Sequence, residues 1–178
     1  MILSLFGKRP DRLAPVKTVF SRIVSASREP ALFLDARVPD DFEGRFEMLA
    51  LHVFLVLRRL RALPAPAADM AQDLVDATFA YLELGFRQGG VGDVSVPRKM
   101  KAIGRSFYGR LGAYEEAFAG EGPDALATAL ARNVSAEADS TALAAHARAC
   151  DERLSGLDLA ALLAADPLFP PFTSDRAR

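Results

Sequence analysis

Apolar residues recur at spacings of three and four along most of the chain, and Pro or Gly interrupts the pattern at short intervals. Over 12–26, Leu13, Val16, Phe20, Ile23 and Val24 fall on one side, which predicts an amphipathic helix. Pro30 opens a short segment, 31–36, that reads as one helical turn or an extended link. Asp40 and Asp41 then precede an apolar-periodic run, a helix-start signal favoured by the macrodipole. That helix extends to about residue 62, where Pro64 and Pro66 end it. Phe42, Phe46, Leu49, Val53, Val56, Leu57 and Leu60 share one side, while Leu51 and Leu55 lie off it. A helix apolar around most of its circumference belongs at the centre of a bundle.

The next helix spans about 68–89, with Leu74, Val75, Thr78, Phe79, Leu82 and Phe86 inward and Asp73, Asp76, Glu83 and Arg87 in a polar stripe beside them. A Gly-rich corner follows. Asp93 or Ser95 is expected to cap the following helix, with Pro97 in its first turn. Met100, Ile103, Phe107, Leu111, Tyr114 and Phe118 then make an inward seam that Gly120 and Gly122 break. From 124 the chain turns Ala-rich, and helices are expected at 124–133, 138–155 and 158–165. The predicted fold class is all-α: a single-domain bundle of about six to eight helices over 12–166. A tip at 1–11 precedes it, and a tail at 167–178, marked by Pro170 and Pro171, is expected to be irregular or an arm.

Composition narrows the function classes without choosing one. A chain of 178 residues favours one domain and buries roughly 70% of its extended surface, enough for a core without disulfides or metals. Lys+Arg is 22 against 23 Asp+Glu, so bulk charge does not make it a nucleic-acid binder. Cys150 is the only cysteine, which excludes an intramolecular disulfide and a Cys-rich zinc site. With only His52 and His146, a His-based metal site would need several carboxylates. No cofactor and no metal is expected. The longest near-apolar run, residues 48–57, is half the roughly 20 residues a membrane span needs. The start has its apolar residues before Lys8 and Arg9, the reverse of a secretory signal. Residues 1–6 read as a frayed or core-docked terminus, or as a tip resting on lipid.

Four constellations carry candidate chemistry. Gly89, Gly90, Gly92 and Asp93 form the corner; their spacing matches neither GxGxxG nor a P-loop and no strand precedes them. The readings left are a Schellman-type stop with an Asp cap, or a partner-binding corner. Arg98, Lys99, Lys101, Arg105 and Arg110 give five cations and no acid over 94–114. Arg98, Lys101, Arg105 and Tyr108 share a face opposite the seam. That face is a solvated surface, a docking surface for acidic protein or lipid headgroups, or an RNA contact. Gly104, Gly109 and Gly112 in the same helix suggest close approach of another backbone, or a kink. His52 is expected to pair with Asp76 on the neighbouring helix, with a ligand or partner contact and catalysis as the other readings. His146 reads as a surface residue and Cys150 as small packing. No GxSxG, HExxH or EF-hand pattern occurs.

Ordered segments across 12–155 then carry a resemblance: Gly44-Arg-Phe-Glu47 running into Leu51-His52, Asp76, Arg87 with Gly90-Val-Gly-Asp93, Met100-Lys101, Phe107-Tyr-Gly-Arg110 with Tyr114, and Leu130-Ala-Arg-Asn133. In these the chain resembles the ubiquinol–cytochrome c chaperone family, whose mitochondrial members assist cytochrome b biogenesis during assembly of ubiquinol–cytochrome c reductase. Phe86-Arg-Gln-Gly stands here where the family pattern has a Leu-Arg-Glu-Gly type of string. The resemblance implies an all-helical, non-enzymatic assembly factor that acts at a membrane without spanning it. Its expected partners are cytochrome b or another reductase component and a small partner subunit, with peripheral membrane contact and no nucleic acid. The lack of an organelle-targeting extension points to a bacterial, cytoplasmic protein, peripheral at the inner membrane. The expected partner-binding residues are His52, Asp76, Arg87, Gly90, Gly92 and Asp93, then Arg98, Lys101, Arg105, Phe107, Tyr108, Gly109 and Arg110, then Arg132 and Asn133, gathered on one surface. The alternative is a generic helical adaptor for a soluble partner.

Overall fold

The computed structural model describes residues 13–120 and 124–173, and among these the chain is eight helices with no strand. They are α1 (Ala14–Ala26), α2 (Pro30–Leu34), α3 (Phe42–Arg61), α4 (Ala67–Gln88), α5 (Val96–Ala119), α6 (Asp124–Asn133), α7 (Ser140–Ser155) and α8 (Leu159–Ala164). The short segment after Pro30 is therefore a single helical turn, not an extended link. The tip at 1–6 and Gly122 lie outside the described residues.

α3 sits at the centre because its sequence leaves it no polar side over the middle three turns. Every residue from Met48 to Leu57 is buried, and α1, α4, α5 and α7 pack around it. Its ends are chosen for the macrodipole. Asp41 accepts a hydrogen bond from the Gly44 N–H at 2.8 Å, Glu43 adds a negative charge, and Arg58, Arg59 and Arg61 sit in the last turn. Asp40 is turned instead to Arg45, at 2.6 Å. The entry to α3 is so close that a Cβ on Gly44 would lie 2.0 Å from the Pro39 carbonyl oxygen, so only glycine fits there.

α4 ends in a full Schellman motif. The Val91 N–H reaches the Phe86 carbonyl at 3.1 Å and the Gly90 N–H the Arg87 carbonyl at 3.2 Å, with Gly90 at φ +79°. The expected side-chain cap on α5 is absent: neither Asp93 nor Ser95 caps it, because Asp93 is drawn back to Arg87. In α5 the seam holds as expected, with Phe107, Leu111 and Tyr114 buried. A Cβ on Gly104 would lie 3.7 Å from the Phe79 ring of α4, whereas one on Gly109 or Gly112 would meet nothing within 4 Å. Each mid-helix glycine costs about 1 kcal/mol relative to alanine. For these two, no packing among the described residues offsets that cost.

The C-terminal segment keeps the irregular backbone expected of it but is no free arm over its described part. Leu168, Phe169 and Phe172 are buried in the core. The Phe172 N–H donates to the Glu29 carboxylate at 3.0 Å, and Arg153 donates to the Pro167 and Leu168 carbonyls at 2.8 and 3.1 Å.

Candidate functional site

The residues expected to share one surface separate into three places, each set by local packing. The first is internal. Glu47 projects from α3 into the gap between α3 and α5, where Arg110 grips it through Nε and Nη2 at 2.7–3.0 Å. The Tyr114 hydroxyl lies 3.5 Å from the same carboxylate, and Asn133, at the end of α6, bears on that hydroxyl. The Glu47 side chain is 4% exposed and Arg110 27%. Burial lifts the Glu47 carboxyl above its ordinary range even with the guanidinium beside it, and the hydrogen bond to Glu47 lifts Arg110. Burial also pushes the Tyr114 hydroxyl up, so it stays protonated and donates. Three of the sequence segments that carry the family resemblance thus meet inside the molecule, where they lock α3, α5 and α6 together.

The second place is the core around His52, and here the structure corrects the sequence. His52 is 1% exposed and does not meet Asp76, which is exposed on α4 and bonded to Gln72 at 2.9 Å. The imidazole is directed to α7 and the C-terminal segment, with its centroid 5.8 Å from the His146 ring and 5.0 Å from Phe169. Its Nδ1 donates to the Met48 carbonyl at 2.8 Å. That leaves Nε2 as the bare nitrogen, without a hydrogen-bond partner among the described residues. His146, expected at the surface, is likewise buried; the Phe172 ring covers it and Cys150 Sγ lies 3.5 Å from its Nε2. Burial lowers both histidines to about 4 and pushes the Cys150 thiol up to about 12, so all three are neutral near pH 7. Phe107, at 0% exposure, belongs to the core as well. Neither His52 nor Phe107 can touch a partner from the folded chain. Among the described residues no three His, Cys, Asp or Glu side chains are arranged to hold a metal ion.

The third place is the surface running from the α4–α5 corner along α5. Arg87 bridges Glu83 at 2.8 Å and Asp93, which holds the corner of Gly90 and Gly92 in place. Beyond it, Arg98, Lys101 and Arg105 are exposed on one side of α5 with Tyr108 and Gly109. Several other arginines are ion-paired: Arg45 with Asp40, Arg58 with Glu115 and Asp151, Arg110 with Glu47. Arg98, Lys101 and Arg105 have no ion pair or hydrogen-bonded side-chain partner among the described residues. Lys99 lies 5.6 Å over the Phe86 ring. Arg132 is exposed at the end of α6, apart from this face.

A groove of about 380 Å³ that sequence reasoning missed opens between the start of α3 and the end of α4. Phe46, Leu49 and Leu82 line it, exposed Phe42 and Leu84 wall it, and Arg28 joined to Tyr81 at 2.7 Å forms its rim. The available signal was Leu84, a large apolar residue on the polar side of α4.

The bundle is similar to the crystal structure of the Cbp3 homolog from Brucella abortus, with a TM-score of 0.77 and 34% sequence identity over 90% of each chain. No curated protein matches the chain. Fold and likeness together define the class, an all-α single-domain protein. More particularly, the family model described as ubiquinol-cytochrome C chaperone matches residues 34–169, and the chain belongs to that family. No described helix is long and apolar enough to cross a membrane.

Proposed function

We propose that this chain is a non-enzymatic assembly chaperone for ubiquinol–cytochrome c reductase, that its client is cytochrome b, and that it makes contact through the corner and exposed face of α5. The observation that carries the contact surface is the set of three exposed cations on one side of α5, Arg98, Lys101 and Arg105, that have no ion pair among the described residues. Exposed charge of one sign sets partner choice and association rate more than fold stability. Membership of a chaperone family supports the role, and the neutral, buried state of His52, His146 and Cys150 leaves none of them placed as an accessible base or nucleophile. The protein is expected to work in the cytoplasm of a bacterium, peripheral at the inner membrane.

The test is affinity capture from the native organism's solubilised membranes, with the unmodified protein and a Lys101→Glu/Arg105→Glu variant, read by mass spectrometry. Cytochrome b captured by the first and lost by the second is the expected result. Capture of soluble proteins alone would replace the chaperone reading with that of a helical adaptor.

A further inference from the structure

The exposed face of α5 has two features that its own fold does not use. On a helical projection Arg98, Lys101 and Arg105 lie within a strip about 60° wide, spread over about 10 Å of helix length. Gly109 and Gly112 continue the same strip toward the C-terminus, and a Cβ on either would meet nothing within 4 Å. The strip therefore reads as two turns of positive charge followed by a stretch of bare backbone. Tyr108 at its margin is 57% exposed. Glu116, exposed one further turn along, closes the strip with the opposite sign.

We propose that this face is the seat of a partner α-helix bearing acidic side chains one turn apart, lying against α5 with its backbone close to Gly109 and Gly112. The inference rests on the reading of α5 as the contact surface and names what occupies it. Charge complementarity sets the sign: three cations without counter-charges among the described residues call for carboxylates at spacings of three or four, which a helix provides. The glycines set the shape, since small residues on a helix face let a second helix approach backbone to backbone. A lipid surface fits this strip less well. A helix that lies in a bilayer interface carries a row of large apolar side chains beside its cations, and here Tyr108 is the sole large ring on the strip. Single-stranded RNA is favoured by successive aromatic platforms, and Tyr108 is instead packed beside Phe79 and Phe107, with ring centroids 6.1 and 5.6 Å away.

The test is photo-crosslinking from position 102, an exposed alanine on the edge of the strip, in the full chain expressed in its native cells. The attached segment is sequenced by mass spectrometry. The expected product is a helical protein segment with at least two acidic side chains three or four residues apart. Its yield should fall about tenfold or more in Lys101→Glu/Arg105→Glu and equally in Gly109→Leu/Gly112→Leu. The leucine pair carries its own folding control: leucine is a better helix former than glycine and has open space here, so Tm should rise by about 2–4 °C per position. Crosslinks to lipid or RNA, no crosslink, or a protein crosslink untouched by the leucine pair would each overturn the proposal. Capture of cytochrome b that survives the leucine pair would overturn this helix seat alone and leave the chaperone reading standing. Failure of the unmodified protein to capture cytochrome b would remove that reading while the crosslinked helix remained.

Discussion

Replacing Arg110 by alanine strands a carboxylate. Glu47 is 4% exposed, its two oxygens are held at 2.7–3.0 Å by the guanidinium, and the remaining neighbour is the Tyr114 hydroxyl at 3.5 Å. Without Arg110 the charged form has no adequate compensation, and the cheapest response is to take up a proton. For a carboxyl of ordinary pKa 4.5, protonation at pH 7 costs about 3.4 kcal/mol, which bounds the electrostatic part of the loss. That bound falls within the roughly 3–5 kcal/mol expected when one partner of a buried pair is removed. With a urea m-value of about 2 kcal/mol/M, the midpoint of unfolding should drop by about 1.5 M. The pH dependence supplies the sign. In the variant the folded-state pKa of Glu47 stands further above its unfolded value, so the penalty is largest near neutrality and shrinks as pH falls toward 4.5. Urea titrations at pH 5, 6, 7 and 8 measure both effects. A midpoint shift below about 0.5 M, or one that does not change with pH, would refute the assignment of Glu47 as a buried charge dependent on Arg110. Glu47→Met/Arg110→Met removes both charges together and should recover much of the loss, because apolar side chains of similar size fill the space without a desolvation penalty.

Acid should loosen the fold through the histidines. His52 and His146 stand at about 4 in the folded chain against 6.5 unfolded, so stability is flat above about pH 6.5 and declines as pH falls toward 4, by up to about 3 kcal/mol per histidine. His52→Phe should flatten that decline in denaturant midpoints between pH 7 and 4; an unchanged slope would contradict it. Gly44→Ala places a methyl into the Pro39 carbonyl and should lower stability by about 1–3 kcal/mol or more, seen as a drop in Tm. Phe172→Ala removes a ring packed on His146 and should cost about 3–5 kcal/mol; an unaltered Tm would mean the segment is dispensable.

What the sequence made legible follows from what periodicity measures. The near-apolar run of α3, the seam of α5 and the Gly90 stop of α4 are local patterns, and each sits where its pattern places it. The partner of His52 was not local. Its ring could face α4 or α7, and only the rotation of α3 within the bundle decides that it faces His146 rather than Asp76. The burial of Leu168, Phe169 and Phe172 escaped for another reason. Pro167, Pro170 and Pro171 mark a segment without helical period, so its apolar residues have no face to be assigned to. The Glu47–Arg110 contact joins residues 63 apart, and helical periodicity sets Arg110 off the face of Arg98, Lys101 and Arg105 without naming the carboxylate it meets. The surrounding seam, with Phe107 and Leu111 both buried, carries Arg110 toward α3.

The bond between Phe172 and Glu29 also has a consequence for how the protein is made. A ribosome makes the chain from its N-terminal side onward, so α1, α3 and α7 are synthesised before the segment that covers His52 and His146. Without that segment, His52 and His146 lose the Phe169 and Phe172 rings that pack on them. This flank of the interior therefore waits on residues 167–172, and a chain lacking them would be left with an unfilled side.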